Sequence, residues 1–283
     1  MRVDLHTHSS WSDGTDPVEG LLMRAREEGV DVVGLTDHDT TAGWADAARA
    51  VERTGVRVVP GIEVTTLGPR HSLHVLALLV DPSPDTPLAQ MLSGSRSSRD
   101  TRARRMVERL AVDFPITWDD VQAQRATHDT TVGRPHIADA LVAAGVVPSR
   151  DAAFAGPLAA GGPYYVPHAA PRAADAVRAI TAAGGVAVLA HPSARSTTGL
   201  AEELVEELVE AGLAGLEVDH REHDDATRVQ LRRLSRRHGL LVTGGSDYHG
   251  SGKINRLGEN LTQPDVLEAI VSRSTSGTEV LTP

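Results

Sequence analysis

The chain has 283 residues, 40% apolar and 23% charged, with a formal net charge of −10 and no cysteine. That length suits one large α/β domain or a barrel with a small insert. The acidic balance disfavours broad, non-specific nucleic-acid binding, and the lack of cysteine excludes disulfides and thiolate metal sites. Aromatic residues make up only 3%, so the core has to be built from Ala, Val, Leu and Ile. No apolar run reaches the roughly 20 residues of a membrane helix. A strand-like run from Arg2 leaves no room for a leader peptide, so a soluble, cytoplasmic protein with no membrane partner is expected.

In chain order, seven short β-branched or leucine-rich runs read as strands: Val3–Leu5, Asp31–Leu35, Val56–Val59, Leu73–Val80, Val186–Ala190, Leu213–Val218 and Leu240–Thr243. Continuous apolar runs suit parallel strands buried on both faces. Helical patterns lie between most of them. Pro17–Glu28 opens with Asp16 as a cap, Pro17 at the first helical position and Glu19 in the first turn, and Gly29 stops it. Gly43–Arg53 ends at Gly55, Glu202–Ala211 at Gly212, and Asp224–His238 at Gly239. Strand, helix and glycine stop recur, which predicts the βα alternation of a parallel sheet or barrel. The rhythm breaks from about Pro82 to Pro171, where helical stretches such as the arginine-rich Ser97–Leu110 and Pro135–Ala144 replace strands. This predicts a barrel formed by residues 1–84 and 170–283. A helical insertion over 85–169 would cover one mouth, with the Pro163–Pro167 segment leading the chain back.

Metal-ligand residue types gather at the ends of the strand runs. His6 and His8 end the first, with Asp13 just beyond; His38 ends the second and Glu63 the third; His74 lies on the fourth; His191 ends the fifth; Asp247 and His249 follow the seventh. His, Asp and Glu are the ligands that borderline and hard divalent ions prefer. Residues i and i+2 of a strand share a face about 6.5–7 Å apart at Cα, so His6 and His8 can reach one ion. A carboxylate such as Glu63 has two oxygens and can bridge two ions. Functional residues of parallel barrels collect at the C-terminal mouth. Every position fits that mouth except His74, which sits early in its run. Together they predict a polynuclear metal site. Asp37 and Asp39 read as partners behind the ligands, and His71, His128, His223 and His238 as ordinary hydrogen-bonding residues.

Asp4-Leu5-His6-Thr7-His8-Ser9, Thr36-Asp37-His38-Asp39, Gly61-Ile62-Glu63, Ala190-His191-Pro192 and Ser246-Asp247-Tyr248-His249-Gly250 resemble, in order and over nearly the whole chain, the polymerase and histidinol phosphatase (PHP) family. The resemblance implies a distorted (β/α)7 barrel, TIM-like, with two to three divalent ions of manganese, iron or zinc. It implies one ion on His6, His8, Glu63 and Asp247, a second on Asp13, His38 and His249, and a third on Glu63, His74 and His191.

The insert is similar, through Gly133-Arg134-Pro135-His136-Ile137-Ala138 and Tyr164-Tyr165-Val166-Pro167, to the branch that contains nucleoside 3′,5′-bisphosphate phosphatases, some of whose members act on 5′-nucleotides or trim short RNA. That implies hydrolysis of a phosphate monoester of a small nucleotide by metal-activated hydroxide. A 5′-to-3′ exoribonuclease acting on short RNA, or a histidinol phosphatase, is the alternative. Asp13 and His191 are then expected at the catalytic centre as well as among the ligands. His220, just past the sixth run, is expected to protonate the leaving oxygen. The Arg134 guanidinium fork matches a phosphate. His136 and Lys253 are expected to touch substrate, Tyr164 to stack on a base, and His168 to contribute less. The arginine-rich stretch would suit an RNA track, although an exposed helix face is the ordinary reading.

Overall fold

The computed structural model describes residues 1–69, 72–193 and 199–283. His71 therefore lies outside the described residues. The elements in order are β1 (Val3–Thr7), α1 (Val18–Glu27), β2 (Val32–Leu35), α2 (Trp44–Thr54), β3 (Arg57–Leu67) and β4 (Ser72–Leu78). A helical stretch follows: α3 (Pro87–Leu110), α4 (Trp118–Gln122), α5 (Arg134–Ala143), α6 (Arg150–Ala155) and α7 (Ala173–Ala182). The chain closes with β5 (Val186–Ala190), α8 (Glu202–Glu210), β6 (Gly215–Asp219), α9 (Asp225–His238), β7 (Leu241–Gly244) and α10 (Pro264–Arg273).

The strands form one seven-stranded sheet in sequential order from β1 to β7. Its two edges meet: His8 N–H donates to Tyr248 O at 2.9 Å and Asp247 N–H to His6 O at 2.9 Å. The sheet thus curls into a nearly closed barrel, as expected. One strand departs from the expectation of parallel pairing. β4 runs antiparallel to both β3 and β5. β3 does not stop at Val59 but continues through Ile62, Val64, Thr65 and Thr66 to Leu67, leaving only residues 68–71 before β4. A parallel return needs a crossover of a dozen or more residues, so a connection this short admits only a hairpin. The reversal also explains His74. Because β4 enters from the side where its neighbours end, a residue early in it lies at their C-terminal mouth, and His74 pairs with Thr65 on one side and Ala190 on the other.

The barrel core joins Val3, Val32, Val59, Leu76, Leu78, Val186 and Val188, with Leu267 and Ile270 of α10 packed against it. Outside the strands, α1 and α2 share a second cluster with β2, and α7, α8 and α9 share a third with β3 to β6. Helices α3, α5 and α6 bury their own apolar set, including Met106, Leu110, Ile137, Leu141 and Ala153. Four helices, α4, α6, α7 and α10, match no helical stretch named from the sequence.

The helix ends follow local chemistry. α3 begins at Pro87, ten residues before the arginine-rich stretch, because Thr86 accepts from Ala89 N–H at 3.1 Å and proline suits the first turn. Asp224 caps α9 through Thr227 N–H at 2.8 Å. Asp16 does not cap α1: Pro17 occupies the capping position, and the Asp16 carboxylate accepts from the Tyr248 hydroxyl at 2.8 Å instead. Among the described residues no helix is long and apolar enough to cross a membrane.

Candidate metal centre

All nine predicted ligand residues converge at one mouth. Glu63 is the hub. Its Oε2 lies 3.0 Å from His8 Nε2, 3.3 Å from His6 Nε2 and 3.2 Å from His38 Nδ1. Its Oε1 lies 2.6 Å from His74 Nδ1 and 2.9 Å from His191 Nε2. One carboxylate therefore faces two sets of imidazoles, one set per oxygen, which is the arrangement a bridging ligand needs. Asp247 Oδ1 lies 3.4 Å from His8 Nε2 and 3.5 Å from His6 Nε2. Asp13 Oδ1 lies 3.2 Å from His249 Nε2, and its Oδ2 is 3.8 Å from His38 Nε2.

Three groups of ligand atoms at this mouth lie within 4.8 Å of one another: His6, His8, Glu63 and Asp247; His8, Asp13, His38 and His249; and His38, Glu63 and His74. The first matches the implied set. The second adds His8, and the third brings His38 where His191 was expected, although His191 still reaches the same Glu63 oxygen. The strand ends explain the overlap: His38 forms a parallel bridge with Glu63, so its ring stands between two groups.

The residues fit divalent ions. His6 and His8 point Nε2 at Nε2 across 3.2 Å, a contact in which at most one nitrogen can donate. Buried Asp13 Oδ1, His38 Nδ1, His220 Nε2 and His249 Nε2 make no hydrogen bond, although such atoms ordinarily do. Buried carboxylate oxygens and imidazole nitrogens that converge without hydrogen bonds are what a cation satisfies. The electrostatics agree. Burial would push Glu63 up, yet the charges of His74, His38 and His6 hold it well below the usual carboxylate range. Asp13 is likewise lowered against burial by His249 and His38, and Asp247 by Lys253 and His249.

Backbone strain marks the same place. Among the described residues, positive φ at non-glycine positions occurs at Asp39 (55°), His191 (27°) and Asp247 (52°), all at this mouth, and at Leu79. Each costs on the order of 1–3 kcal/mol and persists only where its surroundings hold it. The holders are visible. Asp39 accepts from Thr65 N–H at 2.8 Å and from Arg99 Nε at 2.6 Å. Asp37 shapes the loop that brings Asp13 back, accepting from Ser9 N–H at 2.8 Å, Ser9 Oγ at 2.7 Å and Ser12 Oγ at 2.6 Å. Neither aspartate accepts from a predicted ligand histidine among the described residues, which departs from the sequence reading; the two hold the loops on which the predicted ligands sit.

Of the predicted substrate contacts, Lys253 and His136 come near the ligands. Lys253 Nζ sits 2.6 Å from Asp247 Oδ2 on a half-exposed side chain. His136 is buried at the start of α5, where its Nδ1 accepts from Gly133 N–H at 3.1 Å. Burial lowers its pKa, partly opposed by the Asp13 charge. His220 is buried with Nε2 3.8 Å from Asp247 Oδ2 and its ring 5.2 Å from that of His191. Arg134 lies over the Phe154 ring at 5.1 Å and donates to Leu158 O at 3.4 Å. Tyr164 stands apart: its hydroxyl donates to Asp113 at 2.7 Å and its ring meets Phe114 edge-on, so its contacts fall within the helical segment rather than among the ligands. His223, read as ordinary, ties Val218 O at 2.9 Å to Ser193 N–H at 3.3 Å. His238 meets Glu202 at 3.3 Å on the outer helices.

Sequence reasoning missed two groups. Glu217, fully buried in β6, places Oε1 3.1 Å from His6 Nδ1 and accepts from His191 N–H at 2.8 Å. Arg150 of α6 grips Asp139 with two bonds of 2.5 Å and donates to Asp13 O at 3.4 Å, reaching the ligand loop from the helical segment. The signal for Glu217 was a carboxylate inside the otherwise apolar run of a buried strand. For Arg150 the sequence carries no comparable signal.

A PHP domain model matches residues 4–111. The 3′,5′-nucleoside bisphosphate phosphatase of Chromobacterium violaceum is 36% identical over 258 residues, covering 90% of this chain and 89% of that protein. The 5′-3′ exoribonuclease Rnm of Escherichia coli is 33% identical over 271 residues, covering 94% and 92%. A crystal structure from Bifidobacterium adolescentis, of a proposed metal-dependent phosphoesterase, superposes with a TM-score of 0.93 at 45% identity over 96% of each chain. The chain belongs to the PHP family. Within it, the chain is a metal-dependent phosphoesterase.

Proposed function

We propose that this phosphoesterase hydrolyses a phosphate monoester of a small nucleotide, a nucleoside 3′,5′-bisphosphate or a 5′-nucleotide, with two to three divalent ions held by His6, His8, Asp13, His38, Glu63, His74, His191, Asp247 and His249. The observation that carries this is Glu63, whose two oxygens face five imidazoles from four other strand ends. Manganese, iron and zinc all suit such a donor set. Ions bound there would polarise the phosphoryl oxygens and acidify the attacking water.

The chain's own groups have separate tasks. The ligand carboxylates and imidazoles hold the phosphate-binding positions rigid. His220, beside His191 and with Nε2 3.8 Å from Asp247 Oδ2, supplies a proton to the departing oxygen. His136 accepts at Nδ1, so its proton sits on Nε2 and that edge is a donor for a phosphate oxygen. Lys253 adds a fixed positive charge beside Asp247. The helical segment 85–169 covers the mouth: Thr131 N–H donates to Trp11 O and Thr130 Oγ1 to Ser10 O, both at 3.0 Å. Arg134, on that segment, reads a second phosphate.

A second reading, 5′-to-3′ cleavage of short RNA, is favoured by the likeness to the Escherichia coli exoribonuclease. The test is phosphate and mononucleotide release with added Mn²⁺ from adenosine 3′,5′-bisphosphate, 5′-AMP, histidinol phosphate and a short 5′-phosphorylated RNA. Preference for the bisphosphate, with an R134A variant raising KM for it alone, supports the nucleotide reading. Stepwise mononucleotide release from RNA favours the second reading. Turnover of histidinol phosphate alone would overturn both.

A further inference from the structure

We infer that Glu217 is a positioning residue that holds two histidines of the mouth at once, His6 by its ring and His191 by its backbone. The inference rests on the reading of the mouth as a metal centre. The carboxylate sits in β6, one strand from His191 at the end of β5, and its other neighbour β7 meets β1, which carries His6. Its Oε1 is 3.1 Å and its Oε2 3.3 Å from His6 Nδ1. The same Oε2 accepts from His191 N–H at 2.8 Å.

Each contact does something a neutral or shorter side chain would not. A proton shared between His6 Nδ1 and Glu217 leaves Nε2 as the lone-pair edge, and Nε2 is the edge that faces Glu63 at 3.3 Å and Asp247 at 3.5 Å. The bond from His191 N–H opposes the cost of a φ of 27° at a non-glycine residue. That turn puts the His191 ring 5.5 Å from the His6 ring, nearly parallel to it at 18°. One carboxylate therefore sets the distance between two imidazoles that approach opposite oxygens of Glu63.

Glycine at position 245 lets Glu217 and His6 come together. A Cβ on Gly245 would stand 2.5 Å from Glu217 Oε1 and would also collide with His6 Cβ, so glycine there makes room for this contact. Glutamine at position 217 has the same shape but only one acceptor oxygen. With that oxygen at the Oε2 position it would still face both N–H groups, but its NH2 would then stand at the Oε1 position, 3.1 Å from the His6 Nδ1–H, donor against donor.

The test compares E217Q and E217D with wild type by Mn²⁺ titration against a competing chelator dye, and by crystal structures of the metal-free proteins. E217Q is expected to bind Mn²⁺ ten- to hundredfold more weakly, the range for partners behind metal ligands, with either the His6 ring turned or the His191 backbone moved. E217D keeps both acceptors one methylene shorter and is expected to recover part of the affinity. Wild-type affinity in E217Q, or equal weakening in E217Q and E217D, would overturn the inference. If wild type itself bound no Mn²⁺, the metal reading would fail, yet the crystal structures would still decide: an unmoved His6 and His191 in E217Q overturns the positioning role.

Discussion

The barrel mouth and helix α3 are both rich in charged or titratable side chains, yet these are left in opposite states. At the mouth, histidines and carboxylates converge with nitrogen facing nitrogen and with buried acceptors that lack hydrogen bonds. Along α3 the arginines are engaged. Arg96 donates to Asp39 O at 2.6 Å, Arg99 to Asp39 Oδ2 at 2.6 Å and to Thr65, Arg102 to Val166 O at 2.7 Å, and Arg109 to Tyr165 O at 2.6 Å. Arg104 bonds Asp100 and stacks over Trp118 at 4.2 Å. A cluster of charge is a binding site when its members are left wanting a partner, and a structural brace when they are not. The helix that reads as an RNA track is largely a brace, and two of its arginines hold the strained Asp39 next to the predicted ligand His38.

The largest effect should come from breaking the mouth. Alanine at His8 or Asp247 is expected to lower turnover by more than about a hundredfold, since even partners behind metal ligands cost ten- to hundredfold. Metal content by elemental analysis should drop while the circular dichroism spectrum stays. Near-normal activity with full metal occupancy in either variant would remove the site model.

The next largest effect should come from breaking the brace. In R99A, the fully buried Asp39 loses the cation that pairs with it at 2.6 Å. Removing one member of a buried pair costs roughly 3–5 kcal/mol, so the unfolding free energy from urea denaturation should fall by about that much. A loss under about 1 kcal/mol, the worth of an exposed pair, would mean that Arg99 is free to serve a ligand after all.

A smaller effect separates the two regions by pH. Burial, with the charges of Arg99 and Arg102 behind it, pushes His168 down to about 4, and neither ring nitrogen has a hydrogen bond. The unfolded chain therefore takes up a proton at this residue near the ordinary histidine value while the folded chain does not until about pH 4. Stability is lost as pH falls through that window and is regained as it rises. H168Q should flatten that part of the thermal-midpoint profile relative to wild type. An identical slope in the two proteins would refute the assignment.

The smallest effect is expected on RNA. With most of α3 engaged, R105A should change the affinity for a short 5′-phosphorylated RNA by less than about threefold and leave the salt slope nearly unaltered. A fall of one unit in that slope would return the helix to the role of a phosphate track.

Much of the mouth was legible because period-2 alternation and strand ends place side chains without long-range information. His6 and His8 share a strand face, and His38 and His191 each follow an apolar run, whereas Glu63 lies within β3, which runs on to Leu67. What was not legible depended on pairing. The β3–β4 hairpin turned on whether β3 continued past Val59, and Thr65 and Thr66 do not distinguish a strand from a loop until β4 is laid beside them. Asp16 looked like a helix cap because capping is local, whereas its true partner, Tyr248, is more than two hundred residues away in the chain. Glu217 and Arg150 were hidden for the same reason: their meaning lies in what they touch.

The central claim is that activity requires ions gathered around Glu63. The direct measurement strips the protein of metal, titrates Mn²⁺ back, and follows bound equivalents and phosphate release from adenosine 3′,5′-bisphosphate in the same samples. The account predicts no release before ions bind, a rise in step with two to three bound equivalents, and neither binding nor release in H8A. Full release from the metal-free protein, or two to three bound equivalents with no release from any phosphate ester, would contradict it.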